Sequence, residues 1–71
     1  MKFNYYPETD SLYLELAEQP GVESREIKPG IVLDFGAEGQ LVGIDLDHAS
    51  RFIDLGKIEM DSLPLRTLAF A

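Results

Sequence analysis

Gly30-Ile31-Val32-Leu33-Asp34-Phe35-Gly36-Ala37-Glu38-Gly39-Gln40-Leu41-Val42-Gly43-Ile44-Asp45-Leu46 reads as a β-hairpin. Gly30–Phe35 and Gln40–Leu46 are rich in β-branched and aromatic residues and flank a short loop framed by Gly36 and Gly39. Glycine supplies the positive φ that such loops require. The expected register sets Gly36 opposite Gly39, Leu33 opposite Val42 and Ile31 opposite Ile44. One face then carries Ile31, Leu33, Phe35, Val42, Ile44 and Leu46, and the other Val32, Asp34, Leu41, Gly43 and Asp45. A slip of one residue would put Gly43 and Asp45 among the apolar set, so the pattern selects against it.

Upstream, Lys2–Tyr6 and Ser11–Ala17 form a second antiparallel pair around Pro7-Glu8-Thr9-Asp10. Proline pre-sets φ for a turn and aspartate bonds the backbone locally. A four-residue loop pairs Tyr5 with Leu12 and Phe3 with Leu14 on one face, and sets Lys2 opposite Glu15 as a cross-strand charge pair. Pro20-Gly21 marks the next turn. Glu23–Lys28 is mostly polar, with Ile27 its only large apolar residue, which suits an exposed edge strand. Whether it folds back on Gly30–Phe35 or runs bent into it is open.

After Asp47 the period changes. Ala49, Phe52 and Ile53 stand at helical spacing, Asp47 or Ser50 is placed to cap, and Gly56 with Lys57 suits an end. The spacing predicts a short helix over His48–Leu55 covering the apolar sheet face. In the tail, Ile58–Ala71, Leu63, Leu65 and Thr67 alternate as in a strand, while Asp61 or Ser62 suits the cap of a helix holding Leu65, Leu68 and Ala69. Both assignments stand. The expected fold is therefore one α+β domain over residues 1–71: a small antiparallel β-meander of four to five strands with one short helix packed on one face.

Composition limits the function. Thirteen acidic residues against six basic give a formal charge of −7 over 71 residues. Nucleic-acid binders neutralise phosphates with lysine and arginine, so nucleic acid is not an expected partner, nor is an anionic membrane surface. A basic protein partner is electrostatically compatible. The chain has no cysteine, which removes a disulfide framework and fits a reducing compartment. No stretch approaches the roughly 18 apolar residues of a membrane span, and Met1–Tyr6 has no apolar core of signal-peptide length. The expected location is the cytoplasm. A domain this small buries only about 60% of its unfolded surface, so a homodimer is expected.

The quoted hairpin, preceded by Tyr6-x-x-x-x-Asp10-Ser11-Leu12-Tyr13-Leu14 and followed by His48-Ala49-Ser50, resembles the bacterial domain of unknown function numbered 2283 over about residues 4–50. Members open with a similar tyrosine and acid before a strand, and continue with a Gly-Val-Ile-Val-type hairpin and a short Asp-Ala-Ser-like stretch. The order of the three segments carries the resemblance. It differs at Tyr6-Pro7, and at the tip Phe35-Gly36-Ala37-Glu38-Gly39, where members tend to carry aspartates. That family has no established activity, so no site residue is carried over. Genes of some members adjoin those of small toxin-like proteins, which implies an antitoxin-like or partner-binding role.

The other constellations divide by their chemistry. Asp45, Asp47 and His48 are the only His–acid cluster and the basis of a rival reading, a divalent-metal or small-molecule binder or an enzyme. Asp47 as a helix cap and His48 as a surface residue is the simpler assignment. Asp34-Phe35-Gly36 matches the kinase magnesium tripeptide in a chain without a glycine-rich phosphate loop. Asp34–Glu38 lacks the spaced ligands of a calcium loop. No serine sits in a nucleophile-elbow context. No catalytic, cofactor or metal residue is therefore assigned. Tyr6, Tyr13, Val32 and Leu41 are expected opposite the main apolar face, as a candidate interaction surface. The competing account covers them with the helix or tail of the same molecule. The reading that results is a non-enzymatic, homodimeric protein-interaction module, antitoxin-like in its sharper form, with an acidic sheet surface masking a basic partner.

Overall fold

A computed structural model describes residues 1–57 and the backbone of Ala69 and Phe70. The strands are β1 (Lys2–Tyr6), β2 (Ser11–Glu15), β3 (Glu23–Lys28), β4 (Ile31–Phe35), β5 (Leu41–Leu46) and the two-residue β6 (Ala69–Phe70). They form one sheet in the order β3-β4-β5-β2-β1-β6. β1 to β5 pair antiparallel, and β6 adds a short parallel pairing to β1, Lys2 with Ala69 and Phe3 with Phe70. The reading of the tail from Ile58 to Leu68 lies outside the described residues.

The first pair has the expected register: Lys2 faces Glu15, Phe3 faces Leu14 and Tyr5 faces Leu12. β3 folds back onto β4 through Pro29-Gly30, where Gly30 has φ 87°. That is the position of a type II turn that asks for glycine. All six β3 residues are exposed, as an edge strand requires, and the β3–β4 ladder shifts between Glu26 and Lys28, leaving Ile27 as the extra residue of a bulge.

The second hairpin departs from its expected register by two residues. Leu33 faces Ile44, not Val42, and Ile31 faces Leu46, not Ile44. The reason lies in the loop. The Gly36 N–H donates to the Gln40 carbonyl at 2.8 Å and the Gly39 N–H to the Gly36 carbonyl at 3.0 Å, so the loop is Ala37-Glu38-Gly39, with Gly39 at φ 81°. This is the three-residue hairpin loop that ends on a left-handed residue. The ladder then shifts between Asp34 and Phe35: Asp34 faces Gly43 and Phe35 faces Leu41, which makes Val42 the extra residue. The bulge returns Leu41 to the face of Phe35 and turns Val42 towards Gly21 and Asp34 on the opposite side, where it is 2% exposed. A slip of two preserves faces, so Ile31, Leu33, Ile44 and Leu46 still join Phe3, Leu12 and Leu14.

The α+β assignment is corrected: the described residues contain no α-helix, and the fold is nearly all β. In place of the expected helix over His48–Leu55 there is a 3-10 turn, Ala49–Arg51. His48 enters it in the left-handed region at φ 52° and gives no side-chain cap. The window is too short to offset the cost of nucleating a helix in isolation. Its apolar residues do not cover the sheet either: Ala49 is fully buried, but Phe52 is 50% exposed. Neither Asp47 nor Ser50 caps the turn. Asp10, at the far end of the first hairpin, does so: its backbone carbonyl accepts from the Ala49 N–H at 2.7 Å and its carboxylate from the Ser50 hydroxyl at 2.6 Å and the Ser50 N–H at 3.3 Å.

Candidate interaction surface

The sheet has two unlike faces because every strand alternates. Opposite the apolar face, directly paired residues form two rows. Tyr13, Asp45, Val32 and Glu26 make one, and Glu15, Gly43, Asp34 and Ser24 the other. Ser11 and Asp47 extend this surface, and together with Glu26, Gly30, Val32 and Asp45 they line a shallow hollow.

The second row is held by a network that the sequence reading missed. The Tyr13 hydroxyl donates to Asp34 Oδ2 at 3.0 Å, and the Ser24 hydroxyl donates to Asp34 Oδ1 at 2.6 Å. Tyr13 reaches Asp34 by lying across Gly43: a Cβ on that residue would fall 2.0 Å from the phenolic oxygen. A glycine inside a strand marks close approach by another group, and that was the available signal. Burial, then the hydrogen bond and negative charge of Asp34, raise the Tyr13 phenol above its ordinary pKa.

Charge on this face is mostly negative; Lys2, opposite Glu15, is the one basic residue that the strand pairing places on it. Glu15, Glu26, Asp34 and Asp45 have no cation within ion-pair distance among the described residues; Arg25 pairs with Glu23 and His48 with Asp47, both at 3.6 Å. Asp45 registers the consequence. Partial loss of hydration against the sheet, then repulsion from Asp34 and Asp47, raises its carboxyl above the usual aspartate value. The reverse holds at Asp10, where hydrogen bonds from Ser50 and Tyr5 lower the carboxyl.

Of the four residues expected on this surface, Tyr6, Tyr13 and Val32 share the face by register, whereas Leu41 lies on the other beside Phe35. Tyr6 is 55% exposed, and Val32 is half-buried in the acidic row. Asp45 and Asp47 both border the hollow. His48 lines a neighbouring depression that Asp47 shares, with Pro29, Arg51 and Phe52, so Asp47 and His48 come together while Asp45 stays in the hollow. No three His, Cys, Asp or Glu side chains come together to hold a metal ion among the described residues. No helix among them is long and apolar enough to cross a membrane.

A family model described as protein of unknown function (DUF2283) matches residues 2–50. The chain belongs to that family. No curated protein and no solved structure matches it.

Proposed function

We propose that this member of an uncharacterised family is a non-enzymatic interaction module whose acidic sheet face receives a basic segment of a partner protein, in an antitoxin-like role. One observation carries the reading: Asp34, Asp45 and Asp47 are gathered on one face, where lost hydration and then their mutual repulsion raise Asp45. Neither Asp34 nor Asp45 has a cation within ion-pair distance among the described residues to offset that repulsion. A bound lysine or arginine would relieve the repulsion, so the strain of the free protein becomes affinity in the complex. Tyr13 and Val32 supply a rigid apolar floor and Tyr6 an exposed aromatic beside it, the mixture typical of interface centres.

Co-expression with the product of the neighbouring gene, followed by affinity capture at low salt, tests the reading. The expected result is a stable complex that dissociates as salt rises and is lost in Asp34→Asn/Asp45→Asn. No complex at low salt, or a complex indifferent to that double substitution, overturns it.

A further inference from the structure

We infer that β3 is a self-pairing edge, through which two copies of the chain join antiparallel about Ser24 into one continuous sheet. The directions of the backbone groups define what this edge offers. The Val42 carbonyl accepts from Leu16 in the segment that continues β2, and the Asp47 N–H donates to Gly30 beside β4. Backbone groups alternate sides along a strand. Ile44 therefore bonds towards β2, while Gly43 and Asp45 bond towards β4. Their partners Asp34 and Val32 bond back to β5, which leaves Leu33 and Phe35 to bond to Arg25 and Glu23 in β3. Ser24 and Glu26 are the residues whose N–H and C=O groups point out of the sheet, at an edge with no further strand among the described residues. The bulge at Ile27 and the Val22 N–H, which turns inward to the Phe35 carbonyl at 2.8 Å, limit the regular edge to Glu23–Glu26.

The side chains choose the occupant. Two copies related by a two-fold axis perpendicular to the sheet pair about a central residue. Centring on Glu23, Arg25 or Glu26 sets a charge against its own copy. Centring on Ser24 sets Glu23 against Arg25 of the second copy, twice, and lets the two Ser24 backbones exchange both hydrogen bonds. Glu23 and Arg25 already share the apolar face, where they pair at 3.6 Å and Arg25 lies 4.3 Å from the centroid of the Phe35 ring. Directly opposed cross-strand residues have Cβ atoms about 4.5–5.5 Å apart, closer than residues two apart on one strand. The same charges that repel other strands and other registers thus specify this one. The charges that select this register, Glu23 and Arg25, lie on the apolar face, while Ser24 and Glu26 bring the acidic faces of the two copies side by side.

The chain has no cysteine, so Ser24→Cys gives a clean probe: paired Cα atoms about 5.5 Å apart lie within disulfide range. The expected result is a disulfide dimer that forms much faster than in Thr9→Cys, placed in the exposed β1–β2 turn. Sedimentation of Glu23→Arg and of Arg25→Glu alone should show dimerisation weakened roughly tenfold or more, each change creating two like-charge contacts. Mixing those two variants should restore a dimer. The edge of one then carries only arginine at both positions and the edge of the other only glutamate, so opposite charges meet twice although neither chain keeps its internal pair. Cross-linking no faster than in the Thr9→Cys control, or a mixture that stays as monomeric as its components, overturns the proposal.

Discussion

Gly43 is the residue on which the polar face depends. It is buried in mid-strand, where glycine is otherwise unfavourable, because the Tyr13 ring occupies the place of its side chain. Gly43→Ala is expected to push the phenol off the sheet, break its bond to Asp34 and destabilise the fold by about 1–3 kcal/mol in urea unfolding. The loss should shrink in a Tyr13→Ala background, where the new methyl meets no ring, and an unchanged loss would show that the glycine serves its backbone conformation alone. Asp10 makes a second prediction at this scale. Its carboxyl is lowered by Ser50 and Tyr5, so its contribution to stability is present above the ordinary aspartate value of about 3.9 and is lost as pH falls through the lower folded value. Thermal unfolding should therefore separate the native chain from Asp10→Asn at pH 7 and bring the two together in acid.

At the scale of elements, the two hairpins show what alternation can and cannot reveal. The β1–β2 register was legible because loop length and hydrophobic pattern agree on it. In β4–β5, alternation alone cannot tell a register from one slipped by two, since both keep Leu33 and Ile44 on one face. The difference arose from a three-residue loop and a bulge at Val42, which exchanged the expected sides of Val42 and Leu41 and moved Leu41 off the candidate surface. The helix failed for another reason: Ala49, Phe52 and Ile53 have helical spacing, but the turn is anchored by Asp10, forty residues away, and no local signal reports that contact. The loop carries its own test. Gly39 has φ 81° with nothing within 4 Å of the position a Cβ would take, so only backbone conformation resists substitution. Gly39→Ala should cost about 1–2 kcal/mol and Gly39→Asn distinctly less, measured by thermal or urea unfolding. Equal costs would mean that the loop relaxes into another turn.

The whole molecule joins these features into one charged plane. Because the two-fold inferred at β3 is perpendicular to the sheet, it would set both acidic faces on the same side and double the surface offered to a cationic partner. Such a surface has opposite consequences for the free and the bound protein. Asp45 has a raised carboxyl in the fold, so the folded state holds its proton more tightly than the unfolded chain does. Its ionised form consequently disfavours folding at neutral pH, and stability gains as pH falls through the raised value. Asp45→Asn is expected to raise the melting temperature at pH 7, with the advantage fading as acid protonates the native carboxyl. Added salt should likewise stabilise the free native protein, by screening Asp34 and Asp47 from Asp45. Both changes should weaken capture of a basic partner, since they remove the charge that draws it. Stability and binding moving in opposite directions under one substitution would mark the cluster as kept for recognition. If Asp45→Asn instead lowered the melting temperature, the carboxylate would belong to the scaffold, and the acidic face would lose its claim as the docking surface.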